Sequence, residues 1–185
     1  QRPPLALTPL VESIAGDTSI AYAWGHCAAL EALAGVPLAP GIGLLRALAL
    51  ELERIDMHLV ALGGMATAIA FLQGGATYGR LRTAIINATM RVCGSRFGRG
   101  WLRPGGVRHG IGDTLRQDLL ATLAAFASDI ALVNDLMLGA RSVQLLLGGL
   151  DHVLQLDPVV RRLLAERCGW KIDRNTNAPA MSRER

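Results

Sequence analysis

The sequence is short of cysteines and aromatic residues. Of its 185 residues, 3 are cysteines and 4% are aromatic. Cys27, Cys93 and Cys168 lie far apart and no C-x-x-C pair occurs, so the chain lacks the local thiolate pairs that bind zinc, nickel or iron–sulfur clusters. An odd number of separated cysteines favours reduced thiols in a cytoplasmic compartment. We expect no metal bound by this chain and three small, buried cysteine side chains.

The chain also lacks a large excess of charge. Lys and Arg total 19 against 15 Asp and Glu, which gives a net charge of +4. The surplus of arginines falls mainly in 91–108 and 161–185, where aromatic residues do not alternate with them. Because nucleic-acid-binding surfaces usually combine basic and aromatic side chains, we expect no nucleic-acid partner.

Hydrophobic residues are abundant, at 51% of the chain, and the mean hydropathy is +0.32. Many of these residues are Ala and Leu, and small residues such as Ala let helices approach one another closely. No segment shows the strict alternation of a half-buried strand. The sequence therefore predicts an all-α helical bundle with part of its apolar surface buried against partners.

Capping residues and apolar spacing place the first helices. Asp17 or Thr18 begins a helix that Gly35 ends, and a second helix begins after Pro40 and ends at Gly63-Gly64. In the second helix, apolar residues recur at three- and four-residue steps: Leu45, Leu48, Leu52, Ile55 and Leu59. The uncharged stretch 59–79 is long enough for a membrane span, but paired glycines interrupt it, so we predict a short buried helix there.

The remaining segments complete a three-part organisation. We predict an extended segment at 1–16, a helical domain at 17–170 and a polar tail at 171–185. Within the domain, further helices are expected at about 77–92, 113–138, 143–147 and 158–168. The stretch 98–112 is rich in Gly, Arg and Pro, which predicts a loop with a turn at Pro104-Gly105.

Three groups of polar residues are candidates for chemistry. Glu51, Arg54 and His58 share one helical face and could form a proton relay or simply a structural polar network. Tyr22 and His26 lie one turn apart and could donate hydrogen bonds to a carbonyl group of a ligand or make ordinary interior hydrogen bonds. The loop around Arg103, Gly105 and Gly106 could clamp a partner's carboxylates or be a solvated turn.

Four sequence blocks, in order and at matching spacing, resemble one superfamily. They are the blocks Val11–Tyr22, Glu51–His58, Gly94-Ser95-Arg96 and Trp101–Val107. The superfamily comprises the large subunits of membrane-bound nickel–iron hydrogenases and the D-type, quinone-site subunit of respiratory complex I. The resemblance covers roughly residues 11–138 and implies the helical bundle core of a hydrogenase-large-subunit-like fold.

The resemblance also implies which branch is chemically possible. Ala15 and Thr18 stand where the hydrogenase branch has metal-binding cysteines, and neither residue can supply a thiolate. The complex I branch also lacks those cysteines and uses the vacated cavity for quinone. There, His26 aligns with the family's quinone-ligating Tyr, and Tyr22 aligns with its first-helix His.

By resemblance, the chain is a quinone-site subunit, or a fragment of one, in a complex I-like NADH:quinone oxidoreductase. The implied cofactor is a quinone in the assembled complex, with an iron–sulfur cluster on a partner and nothing covalently bound by this chain. The implied partners are an iron–sulfur subunit and membrane-arm subunits, at the cytoplasmic face of the inner membrane. In this scheme the isolated chain is not catalytic.

Two alternatives remain open at this point. The chain could be a non-catalytic scaffold or assembly paralogue that keeps the fold. It could also be a shortened relative of the membrane-bound hydrogenase large subunits, with cysteines on segments outside this sequence.

Overall fold

A computed structural model of the chain describes residues 3–141 and 143–144. The architecture is mostly helical, with one short β-hairpin. In chain order the elements are a 3-10 turn at Pro4–Leu7, α1 at Thr8–Val11, α2 at Ser19–Ala34, α3 at Pro40–Ala68, α4 at Leu72–Cys93, β1 at Leu102–Arg103, β2 at Gly106–Val107 and α5 at Asp113–Gly139. The predicted helical class is confirmed, and the hairpin is an addition to it.

The N-terminal segment is helical, so the prediction of an extended 1–16 is wrong for residues 4–11. Each of the two short helices carries a proline in its first positions. Proline at a helix start has its φ preset and needs no amide hydrogen bond there. These prolines therefore start helical turns in a segment whose composition suggested a loop.

The start of α2 is stabilised from another helix. Thr18 is the N-terminal cap, as one of the two predicted residues, but its side chain makes no capping bond. Instead the carboxylate of Glu53 on α3 accepts the N–H groups of Ile20 at 2.6 Å and Ala21 at 3.0 Å. A carboxylate is well suited to this role because free amides and the helix dipole favour negative charge there. At the other end, Gly35 closes α2 with φ 63, as predicted.

Helix α3 does not end at Gly63-Gly64, which corrects the predicted boundary. It continues to Ala68, and a Cβ on Gly75 of α4 would lie 2.6 Å from Oγ1 of Thr67 and 3.4 Å from the carbonyl oxygen of Gly63. The glycines therefore permit a close crossing of α3 and α4. The short buried helix expected within 59–79 is likewise wrong, because the chain turns at Ala70, with φ 61, and α4 already begins at Leu72.

The core lies where α3, α4 and α5 pack, with α2 and the hairpin at one end. Its largest fully buried apolar side chains are Trp101, Tyr78, Ile20, Leu52, Leu81, Ile85 and Leu102. The hydroxyl of Tyr78 donates to Oδ1 of Asn134 at 2.7 Å, which ties α4 to α5. The buried stripe of α3 shares Leu52 and Leu59 with the predicted one, but it also carries Arg46, Glu53 and Asp56.

Helix α5 follows its prediction closely, since Asp113 is its first residue and Gly139 its last. Among the described residues it is the one helix long and apolar enough to cross a membrane, with a window of mean hydropathy 1.5 that is 11% buried. Length and composition alone support that possibility weakly. Most of the helix predicted at 143–147, the whole of that at 158–168 and the polar tail lie outside the described residues.

Candidate functional site

The loop between α1 and α2, residues 12–18, is bonded to the loop that follows α4. Oε1 of Glu12 accepts the N–H of Gly100 at 2.8 Å. The guanidinium of Arg99 donates to Oγ of Ser19 at 3.3 Å and to the carbonyl of Gly16 at 3.2 Å. The structure thus joins the first sequence block of the family resemblance, which contains Ala15 and Thr18, to Arg99 and Gly100. These two residues lie between the blocks Gly94-Ser95-Arg96 and Trp101–Val107.

A close backbone approach fixes this junction. Gly98 has φ +68, and a Cβ at this position would overlap Cδ1 of Ile20. Glycine relieves both constraints, because it tolerates positive φ and has no Cβ. The first turn of α2 therefore packs directly on the loop after α4.

The hairpin is held by a buried ion pair that the sequence analysis missed. Arg46, which is 0% exposed, forms a two-point ion pair with Glu31, with N–O distances of 2.9 and 2.6 Å. The same guanidinium donates to the carbonyls of Arg103 at 2.8 Å and Gly106 at 3.1 Å. Glu31 also accepts the N–H of Gly105 at 2.7 Å. One ion pair therefore joins α2, α3 and the turn of the hairpin.

The charges of this pair reinforce each other. Hydrogen bonds from Arg46 hold the pKa of Glu31 below its usual range, against the opposing effect of burial. The bond with Glu31 raises the pKa of Arg46. Both groups stay ionised, and Nη2 of Arg46 and Oε1 of Glu31 also bond the hairpin backbone, which helps to offset the desolvation of a buried ion pair. Nε of Arg46 is buried without a hydrogen-bond partner among the described residues.

The predicted loop residues Arg103, Gly105 and Gly106 are therefore brought together at one turn. Gly105 has φ +82, which confirms the turn predicted at Pro104-Gly105. The side chain of Arg103 is exposed, while its carbonyl faces Arg46. Their predicted role, as a partner-binding or cavity loop, is not tested by this geometry.

A second polar cluster lies beneath the α1–α2 loop. A small pocket there is lined by Asp17, Glu53, Asp56 and Arg96 together with apolar side chains of α2, α3 and α4. Arg82 of α4 pairs with Asp56 at 2.9 Å. Burial raises the pKa of Glu53 and of Asp56, although hydrogen bonds to each carboxylate oppose the effect. Glu53 and Asp56 therefore favour the protonated form more than free carboxylates do.

The predicted quinone ligands lie on α2. Tyr22 is 41% exposed, and His26 is half-buried. Nε2 of His26 is buried and has no hydrogen-bond partner among residues 3–141 and 143–144. An unsatisfied buried polar atom is unfavourable by roughly 1–3 kcal/mol, so this nitrogen is suited to a partner outside the described residues.

The predicted group on α3 is only partly assembled. Glu51 and Arg54 form an ion pair whose side chains are 54% and 57% exposed. His58 is exposed, and within the described part of the chain it makes no side-chain hydrogen bond with either. The proton-relay role of these residues stays a prediction, while the buried polar residues of α3 are Arg46, Glu53 and Asp56. In the sequence, Arg46 and Glu53 are seven residues apart and Glu53 and Asp56 are three apart, and this spacing indicates that the three share one helical face.

The cysteines in the described part are core residues. Cys27 is fully buried, and burial raises the pKa of its thiol to about 11 despite the nearby Arg46. Cys93 is half-buried, and burial raises its pKa as well, while Cys168 lies outside the described residues. In the part of the chain that the structure describes, no three His, Cys, Asp or Glu side chains are placed to hold a metal ion.

Comparison with known proteins adds sequence relatives. The chain is 29% identical to the D subunit of NADH-quinone oxidoreductase from Campylobacter concisus (strain 13826) over 129 residues, which is 70% of this chain and 32% of the relative. It is 30% identical to the D subunit from Saccharopolyspora erythraea over 119 residues, 62% of this chain and 25% of the relative. The D subunit from Campylobacter jejuni (strain 81-176) is 28% identical over 114 residues, 62% of this chain and 28% of the relative.

No family model matches the chain. The matched region spans about a third or less of the length of these curated relatives. Even so, all three carry the same name, and each aligns with well over half of this chain. The resemblance seen in the sequence blocks is thereby confirmed, and this chain is a sequence relative of the D subunits of NADH-quinone oxidoreductase.

Proposed function

We propose that this chain is the quinone-site portion of a D-type subunit in a complex I-like NADH:quinone oxidoreductase. Its core would be that of a hydrogenase-large-subunit-like fold in which the metal ligands have been replaced. The chain would line the quinone chamber and dock an iron–sulfur subunit. It would not turn over substrate by itself.

The observation that carries the proposal is the free nitrogen of His26. Its Nε2 is buried and without a partner in the described residues, at the position that the family resemblance assigns to the quinone ligand. A quinone has carbonyl oxygens that accept hydrogen bonds, and an imidazole N–H can donate one. Tyr22, one turn earlier on the same helix, offers a hydroxyl as a second donor.

The loop around Ala15 and Thr18 supports the same proposal. The two positions that would carry thiolates in a hydrogenase hold an apolar side chain and a hydroxyl, so they are unsuited to binding nickel. A hydrogen bond that Arg99 donates to Gly16 and one that Glu12 accepts from Gly100 nevertheless hold this loop in a defined conformation. A defined loop without metal ligands fits a chamber wall better than a metal site.

The remaining roles follow from the scheme. Quinone supplies the electron-accepting chemistry when it is bound, and the cluster that delivers electrons would lie on the iron–sulfur partner. Glu51, Arg54 and His58 would stabilise the outer wall of the chamber or carry protons. With membrane-arm subunits as further partners, the chain would sit peripherally at the cytoplasmic face of the inner membrane.

Substitution of His26 in the assembled complex tests the proposal. We expect His26→Ala to raise KM for a short-chain quinone by about tenfold, the effect of losing one hydrogen bond of roughly 1.4 kcal/mol. His26→Gln, which keeps a donor, should recover part of the loss. Leu33→Ala, at an exposed position of the same helix, is the matched control and should leave KM unchanged.

An unchanged KM in His26→Ala, together with unchanged sensitivity to quinone-site inhibitors, would contradict the ligand role. It would favour the non-catalytic scaffold instead. Nickel in stoichiometric amount in the native complex would favour the shortened hydrogenase relative.

A further inference from the structure

Between positions 46 and 116 the arginines fall into two sets, and Arg141 is the one described arginine outside that range. Outside residues 94–112, six arginines between positions 46 and 116 each pair with a carboxylate. The stretch 94–112, called here the basic loop, contains Arg96, Arg99, Arg103 and Arg108 and no acidic residue. None of these four pairs with a carboxylate of residues 3–141 and 143–144. Unpaired arginines are thus concentrated in one loop.

Two of the four are already engaged by their own surroundings. Arg96 lies over the ring of Phe97, 5.7 Å from its centroid. Arg99 donates to the α1–α2 loop. Arg103 and Arg108 are exposed, and within the described residues their guanidinium groups make no hydrogen bond. These two are free to bind something outside the described fold.

The hairpin presents Arg103 and Arg108 together. Its register pairs Arg103 with Gly106, and the N–H of Arg108 donates to the carbonyl of Trp101 at 2.7 Å, which extends the same ladder by one pair. Residues 103 and 108 are therefore diagonal neighbours across the two strands. The backbones of such neighbours lie about 7–8 Å apart, so the two long side chains can reach carboxylates on one acidic segment.

The backbone of the hairpin is also fixed by hydrogen bonds with buried side chains. Its turn is bonded to the buried Glu31–Arg46 pair, and the indole N–H of Trp101, fully buried, donates to the carbonyl of His109 at 2.9 Å. Burial of a charged pair costs free energy by desolvation. Because the hairpin backbone is already fixed, binding of carboxylates to Arg103 and Arg108 would have to order only the two side chains, which lowers its entropic cost.

From these observations we propose that Arg103 and Arg108 form a docking site for an acidic protein segment of a partner subunit. The inference rests on the proposed function only in assuming that the chain belongs to an assembly, and it adds the surface and the chemistry of one contact. Guanidinium groups bind carboxylates through paired, charge-assisted hydrogen bonds. Since such pairs are partly exposed, the contact should weaken as salt is raised.

Arginine footprinting tests the site in the native assembly. The reagent is 4-hydroxyphenylglyoxal, applied to native membranes and to the purified full chain, with modified peptides measured by mass spectrometry. We expect Arg103 and Arg108 to react at least about fivefold more slowly in the membranes, because bound carboxylates shield them. Arg80 and Arg116, exposed arginines with pairs inside the chain, are the internal controls and should change little.

Equal reactivity of Arg103 and Arg108 in both samples would overturn the proposal. If both are equally slow, carboxylates of this chain itself already occupy them. If both are equally fast, nothing binds them. Either result leaves the His26 experiment unaffected, so the failure of this inference can be told apart from the failure of the proposed function.

A binding assay on the full chain decides the chemistry of the partner. A glutamate decapeptide should bind the parent chain, and Arg103→Gln/Arg108→Gln should weaken that binding at least about fivefold at low salt. Arg80→Gln/Arg116→Gln, with the same change in net charge, should retain it. The opposite result would be that the parent chain binds vesicles containing phosphatidylglycerol but not the peptide, and that the Arg103→Gln/Arg108→Gln variant loses the vesicle binding. This result would contradict a protein partner and indicate a membrane surface instead.

Discussion

The Glu31–Arg46 pair is the most consequential side-chain interaction in the described structure. It is buried, and it supplies three hydrogen bonds to the backbone of the hairpin turn. Removing one member of a buried pair leaves an uncompensated charge, which is more damaging than the loss of the attraction itself. The position of the basic loop therefore depends on two residues that lie outside it.

We predict that Glu31→Ala lowers the free energy of unfolding by about 3–5 kcal/mol. Glu51→Ala, which removes a carboxylate from an exposed ion pair, should cost at most about 1 kcal/mol. Urea titration of the two variants checks both values. Similar small losses in both would mean that Arg46 is not buried against Glu31 as described.

The buried carboxylates also predict opposite dependences of stability on pH. The raised pKa values of Glu53 and Asp56 mean that, as pH rises from the ordinary carboxyl range, the unfolded chain releases protons that the folded chain still holds. Stability from these two groups is thus lost as pH rises through their raised pKa values. Glu31 acts in the other direction, because its pKa is lowered and its contribution is lost as pH falls.

Accordingly, Glu53→Gln should make Tm decline less steeply as pH rises from about 4.5, even if it lowers Tm overall by weakening the cap of α2. Glu51→Gln removes the same charge at an exposed position and is the control. Calorimetry at a series of pH values above about 4.5 gives the slope of Tm against pH for each variant. Equal slopes for Glu53→Gln and the parent chain would contradict the raised pKa of Glu53.

At the scale of the secondary-structure elements, the junction between α2 and the loop after α4 depends on a glycine at position 98. Gly98→Ala would meet both a positive φ and the side chain of Ile20. Gly100→Ala has a similar φ of +72, but its Cβ would lie 3.9 Å from Nη1 of Arg108, an ordinary contact. Strain from φ alone costs on the order of 1 kcal/mol. The clash at Gly98 should add about 1–3 kcal/mol.

Denaturation of the two glycine variants side by side isolates the close approach, because both share the backbone strain. Equal losses would show that Ile20 moves aside and that the packing of α2 on the loop is soft. Faster amide exchange at Ile20 and Ala21 in Gly98→Ala would show that the damage reaches the start of α2.

The sequence predicted the elements whose ends are set locally. Gly35 and Pro104-Gly105 were recognised because a positive φ demands glycine, and α5 because Asp113 and Gly139 bound an apolar stretch.

The end of α3 was missed because Gly63 serves the crossing with α4, which is a tertiary contact. Glu31 and Arg46 were missed for the same reason, since they lie on different helices and meet only in the folded chain. His26 and Tyr22 were placed on one helix, as the structure has them, but their ligand remains a proposal.

Considered as a single body, the described chain has an exposed apolar side on α5. Leu132 and Leu136, one turn apart on the same face, are 64% and 57% exposed, and together they form an apolar patch. We predict that the purified chain self-associates at micromolar concentration and that Leu132→Glu/Leu136→Glu reduces this association. Sedimentation velocity measures it, with Leu33→Glu, at an 86% exposed position of α2, as the control. A monomeric parent chain would contradict the prediction.

The proposed role requires that the chain be a subunit of a larger assembly. Mass spectrometry of the proteins that purify with the chain from its native membranes is the decisive measurement. We expect an iron–sulfur subunit and several multi-spanning membrane subunits in stoichiometric amounts. Recovery of the chain alone would contradict the proposed role, and would identify the fold as a scaffold without a quinone site.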